Sequence, residues 1–146
     1  MSYKITINGD LGNQEKTWDL INFIFQQHGM PASDADVFTV AVGEAFGNGL
    51  LYSPDNCSVL TLSIHRDRII AEVVNVGKKI NFKAIEEFDT EHDFMQYKDG
   101  KLGIPMIKTL VDDVNYSHDK GKNKLILLKY IKNDSNVLKG EKNENY

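Results

Sequence analysis

Along the first half of the chain the apolar positions change period repeatedly, and each change marks an element. Tyr3, Ile5 and Ile7 alternate with Lys4 and Thr6, the period-two pattern of a half-buried strand, closed by Asn8-Gly9. From Asn13, a residue suited to an N-cap, helical spacing takes over through Gln27, with Trp18, Ile21, Ile24 and Phe25 on the apolar face and Gly29 past the end. A second helix is predicted over about 33–51, capped by Ser33, with Asp34 and Asp36 in the first turn where the helix dipole favours negative charge. The turn cluster Tyr52-Ser53-Pro54-Asp55-Asn56 ends it. Leu60, Leu62 and Ile64 then alternate with Val59, Thr61 and Ser63, and beyond the charged turn His65-Arg66-Asp67-Arg68 the run 69–76 completes a β-hairpin.

The second half begins with a change of composition. Residues 77–102 are dominated by Lys, Glu and Asp, with a short helical pattern around Ala84, Ile85 and Phe88, and so long a connection inside a small domain points to function or else to mobility. Helical order resumes at Gly103, with Pro105 suited to the first turn and Ile104, Ile107, Leu110 and Val111 at helical spacing. A last hairpin is predicted from 113–117 and 123–131 around Asp119-Lys120-Gly121-Lys122. This order of elements suits an α+β two-layer sandwich, a mostly antiparallel sheet with its helices on one face. One domain is expected over 1–131, followed by a polar tail, 132–146, with no pattern of its own.

Composition narrows the function classes. A chain of 146 residues is long enough for one substantial core, and its net charge of −4 argues against direct nucleic-acid binding. A lone cysteine, Cys57, excludes an internal disulfide framework and fits a reducing compartment. No apolar run of signal-peptide or membrane-span length is present, so a cytoplasmic protein without a membrane partner is expected. His65, His92 and His118 fall in turns or loops without ligand spacing, and no metal site held by the protein alone is expected from them.

Candidate chemistry concentrates in the second helix. On a wheel of 3.6 residues per turn, Val37, Val40, Ala41, Glu44, Asn48 and Leu51 share one stripe, which puts a carboxylate and an amide one turn apart among apolar neighbours. Phe38, Val42, Ala45, Phe46 and Leu50 fill the opposite side, so the helix reads as largely buried and Glu44 is expected to have a partner. Gly43, Gly47 and Gly49 each cost about 0.5–1 kcal/mol in a helix interior relative to Ala, which implies a close approach by something else. Two readings stand side by side: a core helix whose polar groups bond neighbouring backbone, or a ligand site in which Asn48 ligates Mg²⁺ and Glu44 orients or deprotonates a hydroxyl.

Three separated segments together resemble the anti-sigma factor serine kinases of the gyrase and histidine-kinase ATPase superfamily, the Bergerat fold. Glu44-Ala45-Phe46-Gly47-Asn48-Gly49-Leu50 resembles the N box, Val73-Val74-Asn75-Val76-Gly77 the first glycine box with its preceding strand, and Gly100-Lys101-Leu102-Gly103-Ile104-Pro105-Met106-Ile107 the second glycine box. The resemblance implies ATP and Mg²⁺ as ligands, with Glu44 as catalytic base and Asn48 as the Mg²⁺ ligand. It further implies Asn75 at the base, Gly77 beside it, and Gly100, Lys101, Gly103 and Ile104 around the phosphates under a lid formed by the intervening segment. Backbone N–H groups opening the helix at Gly103 are free donors at a positive dipole end, consistent with phosphate binding, although Gly100 and Gly103 also suit a plain turn, and Lys98 and Lys101 a solvated face. The implied function is an ATP-dependent serine/threonine protein kinase that binds a sigma factor and phosphorylates a small anti-sigma antagonist, and a homodimer is compatible with it. A protein-binding module of the same fold without turnover, and an ATP-binding regulator of another pathway, remain as alternatives. Three positions depart from the family pattern: Asn75 replaces an aspartate, Lys79 a second glycine, and Lys124 a threonine or serine in the last hairpin.

Asn75 generates a test. An aspartate only accepts hydrogen bonds, matching the amino donor of adenine, whereas asparagine carries an acceptor and a donor on one plane. Loss of the charged acceptor should cost on the order of 1 kcal/mol, several-fold in affinity, and a flipped amide could donate to guanine. Titration of ATP and GTP is expected to show Asn75→Asp binding ATP more tightly and GTP more weakly than the wild type; an unchanged ATP affinity would show that Asn75 does not read the base.

Overall fold

The computed structural model describes residues 3–10, 14–79 and 103–132. The pattern around Ala84–Phe88, the expected lid, Gly100, Lys101 and the tail 133–146 lie outside these residues, as do the side chains of Leu51, Tyr52 and 103–106. The elements follow the predicted order: β1 (Tyr3–Asp10), α1 (Gln14–Gln27), α2 (Ala32–Tyr52), β2 (Cys57–Ile64), β3 (Arg68–Val76), α3 (Gly103–Leu110), β4 (Asp113–Asp119) and β5 (Lys122–Tyr130). Five antiparallel strands form one sheet in the order β1-β2-β3-β5-β4, an α+β architecture.

The period-two alternation becomes a set of rungs across the sheet. Ile7, Leu60, Val73, Leu125 and Tyr116 are successive cross-strand partners, and Ile5, Leu62, Ala71, Leu127 and Val114 form the next rung. These side chains all belong to, or pack on, the single core beneath the helices. Register is pinned because a one-residue slip would send every apolar side chain of a strand to the opposite face. Two tight turns support it. Lys120 (φ 51) and Gly121 (φ 75) make the two-residue β4–β5 loop, whose paired positive φ values match the strand twist. Before β2, Ser53 Oγ donates to Asp55 Oδ1 and Cys57 N donates to the same oxygen at 3.1 Å. The Ser53 hydroxyl, followed by the Cys57 amide, holds the exposed Asp55 carboxyl below its ordinary value.

The helices stack by close approach. Trp18 of α1 lies directly over Gly43 of α2, where a Cβ would stand 2.4 Å from Cε2 and 2.7 Å from Nε1 of the indole. Beside it Asn22 Nδ2 donates to Asp36 Oδ1 at 2.9 Å and Thr39 Oγ1 at 3.1 Å, and the Phe25 and Phe38 rings are 4.8 Å apart. Ile107 of α3 is fully buried.

Three expectations are corrected. β1 does not close at Asn8-Gly9: those residues pair with Val59 and Ser58, and the strand runs on to Asp10. Ser33 does not cap α2, because the helix starts one residue earlier at Ala32 with Pro31 at the N-cap and no capping side chain. Asp34 keeps its place in the first turn, whereas Asp36 serves the contact with α1.

Gly43 offers a test of sign. Helix propensity alone predicts that Gly43→Ala stabilises by up to about 1 kcal/mol, but the new methyl meets a rigid ring rather than a flexible chain end. Urea denaturation should show a net loss of about 1–3 kcal/mol; a gain would mean that the helix packing yields without cost.

Candidate functional site

α2 presents two unlike faces. Phe38, Val42, Ala45, Phe46 and Leu50 are buried, whereas Val37 and Val40 are exposed and Glu44 and Asn48, one turn apart on the same stripe, are half-buried. Among the described residues no hydrogen bond or ion pair engages Glu44 or Asn48. The carboxylate expected to be buried is therefore half-buried, and the partner expected for it is not among the described residues. Gln14 approaches this part of α2, its Nε2 lying 3.7 Å from where a Cβ on Gly47 would be.

At one end of the sheet the apolar rungs give way to a polar one. Gly9 pairs with Ser58, Asn75 pairs with Asn123, and Asn123 pairs with His118; Ser58 and Asn75 lie one step beyond the paired Val59 and Val74. By strand parity all of these positions continue the inward rows of Leu60, Val73, Leu125 and Tyr116. His118 and Asn123 are committed to the chain that follows β3. His118 Nε2 donates to Gly77 O at 3.0 Å, and Asn123 Nδ2 donates to Lys78 O at 2.9 Å while its Oδ1 accepts from Tyr116 Oη. Gly77 N donates to Gly121 O at 3.0 Å, so both backbone groups of Gly77 are used in holding it against the last hairpin.

Ser58 and Asn75 are different. Ser58 is 1% exposed, yet its Oγ has no hydrogen-bond partner among the described residues, and an unsatisfied buried hydroxyl costs about 1–3 kcal/mol. Asn75 Nδ2 donates to Val76 O at 3.3 Å, and no described residue donates to its Oδ1. Both abut Gly49 of α2: a Cβ there would lie 2.7 Å from Ser58 Oγ and 3.5 Å from Asn75 Oδ1. Gly49 is adjacent to Asn48, so the glycine contact joins the Glu44–Asn48 stripe to the end of β3 that carries Asn75 and Gly77. A second orphaned donor, Trp18 Nε1, faces Gly43 in the helix–helix contact and not this end of the sheet.

Of the sequence-predicted site residues, Asn75 thus abuts the helix that carries Glu44 and Asn48, and Gly77 follows two residues beyond it. Gly103 and Ile104 open α3, which packs on α2, and their side chains are outside the described residues along with Gly100 and Lys101. Lys124 is not the hairpin residue that faces this region. It points to the opposite side of the sheet and pairs with Glu72 at 3.3 Å, and the inward position belongs to Asn123, 5% exposed. Sequence reading missed Ser58 and Asn123, although counting in twos from Leu60 and Leu125 places a polar residue in an otherwise apolar inward row at each. Among the described residues no three His, Cys, Asp or Glu side chains cluster as a metal site.

The region fits a nucleotide in its donor set: an open amide acceptor and an orphaned hydroxyl for a base edge, and an amide oxygen and a carboxylate on the neighbouring helix. Comparison with known proteins agrees. Residues 12–129 match the model of the histidine kinase-like ATPase domain. Two similar relatives are both named serine-protein kinase RsbW. That of Halalkalibacterium halodurans is 28% identical over 120 residues, covering 78% of this chain and 74% of the relative. That of Bacillus mycoides is 25% identical over 122 residues, covering 75% and 76%. With most of its length matched and the antiparallel α+β sheet in place, the chain belongs to the histidine kinase-like ATPase domain family.

Proposed function

We propose that this chain is an ATP-dependent serine/threonine protein kinase that acts as an anti-sigma factor, binding a sigma factor and phosphorylating a small antagonist protein. The observation that carries nucleotide binding is the junction at Gly49, where the Glu44–Asn48 helix meets Asn75. The kinase and anti-sigma parts are supported by the resemblance of the three motifs and by the two relatives named serine-protein kinase RsbW.

In this reading Asn75 Oδ1 accepts from the adenine amino group, and the free N–H groups that open α3 receive phosphate oxygens. Asn48 supplies an amide oxygen to Mg²⁺, which when bound neutralises phosphate charge and is commonly held by few protein ligands together with the phosphates. Glu44, half-solvated and without a competing partner among the described residues, accepts the proton of the substrate serine. The serine oxygen then bonds the γ-phosphorus as the bond to the β-phosphate oxygen breaks, giving phosphoserine and ADP. A second reading, a module that holds its protein partner without turnover, draws on the loss of the charged base acceptor at Asn75.

Excess ATP with Mg²⁺ at 100 times its dissociation constant should stabilise the folded chain by about 2.7 kcal/mol, read as a raised thermal midpoint. Asn48→Ala is expected to weaken the Mg²⁺-dependent part of binding about tenfold, since it deletes a metal ligand. Glu44→Gln should spare binding and reduce phosphotransfer about 100- to 10,000-fold, because it keeps shape and removes basicity. Full transfer by Glu44→Gln would sink the base assignment; if both changes merely lowered stability, the two residues would be structural.

A further inference from the structure

Of the polar rung at the end of the sheet, His118 and Asn123 spend their hydrogen bonds on the carbonyls of Gly77 and Lys78. Two polar atoms of the rung, Ser58 Oγ and Asn75 Oδ1, have no partner among the described residues and flank the same glycine of α2. One is a hydroxyl that can donate; the other is an acceptor whose own NH₂ is tied to Val76 O. An acceptor beside a donor is the complement of the amino-and-N1 edge of adenine, which offers a donor beside an acceptor. Guanine offers the reverse order there, and to meet it Asn75 would have to give up its bond to Val76 O.

We propose that Ser58 is a second base-reading residue of this chain, its hydroxyl donating toward N1 of adenine, directly or through one ordered water, beside the Asn75–amino contact. This rests on the nucleotide reading given above. It accounts for three otherwise unrelated features: a serine in an inward row that is apolar for the rest of β2, a buried hydroxyl without a partner among the described residues, and a glycine at 49 whose missing Cβ makes room for that hydroxyl. A purely structural serine would be expected to bond neighbouring backbone, and alanine would then be worse. Here alanine removes an unsatisfied group, so the ligand-free protein should hold or gain stability while the ligand is lost.

The experiment measures the affinity of Mg²⁺-ATP, Mg²⁺-GTP and the triphosphate of unsubstituted purine riboside, which keeps N1 but lacks the amino group. Wild type, Ser58→Ala and Ser58→Cys are compared, with thermal midpoints taken without nucleotide. Ser58→Ala is expected to bind ATP and the purine analogue several-fold more weakly, to narrow the ATP-over-GTP preference, and to melt no lower than wild type. Ser58→Cys keeps the side-chain shape with a weak donor and should show most of the same loss. Asn75→Ala should weaken ATP but leave the analogue nearly unchanged, which separates the two contacts. If wild type binds ATP and Ser58→Ala binds all three nucleotides equally well, Ser58 does not read the base. A lower ligand-free midpoint in Ser58→Ala with unaltered affinities would assign it a packing role. No nucleotide binding by the wild type would overturn the nucleotide reading and this proposal with it.

Discussion

The approach of α2 to the sheet at Gly49 sets the geometry on which the rest of the site depends. Any side chain at that position would meet Ser58 Oγ at 2.7 Å, so the helix axis can sit this close to β2 only because the Cβ is absent. Helix and sheet are thereby locked at the point where Asn48 stands on one side of the contact and Asn75 on the other. Gly43 does the same for α1, whose Trp18 ring rests on the helix backbone. Two of the three glycines that looked expensive in the helix thus mark where α2 touches its neighbours. Their propensity cost, about 0.5–1 kcal/mol each, is offset by packing that no larger residue would permit.

That a site should form at this end of the sheet follows from where the apolar rungs stop. From the Ile5–Val114 rung to the Ile7–Tyr116 rung the inward positions are filled by apolar side chains, apart from the hydroxyl of Tyr116, which donates to Asn123 Oδ1. One rung further the inward residues are Ser58, Asn75, Asn123 and His118, each of which requires hydrogen bonds once it leaves water. Two obtain them from backbone carbonyls and in doing so hold the start of the segment after β3. The remaining two have unfilled capacity next to the helix that carries Glu44 and Asn48.

Much of this was legible in the chain. Strand periodicity gave β2, β3, β4 and β5 within one to three residues, helical spacing gave the three described helices, and the segments around Gly49 and Asn75 do meet in space. What failed has physical causes. Ser33 has the right chemistry for a cap, but Pro31 starts the helix earlier, a boundary that short-range pattern does not fix. Asn8-Gly9 carries a turn signature that cross-strand pairing with β2 overrides. Glu44 was placed in the interior because a helical wheel shows only which residues share a stripe, not which stripe faces the sheet; Val37, Val40, Glu44 and Asn48 share the more open one. In β5 the inward residue is Asn123 while Lys124 faces the opposite side, and only cross-strand register decides between two such neighbours.

The amide at position 75 has a consequence for how stability and binding are divided. An aspartate there would place a carboxylate half out of water beside a buried hydroxyl, next to the core-facing Val73. Charged, it would accept more strongly from a ligand, by the roughly twofold advantage of charge-assisted hydrogen bonds, but the ligand-free protein would carry its desolvation. Asn75 avoids that charge and ties its NH₂ to Val76 O, so the ligand-free end of the sheet is less strained and the acceptor is fixed in one direction. A neutral amide at position 75 thus gives up the stronger charged acceptor and avoids the desolvation that a carboxylate would carry.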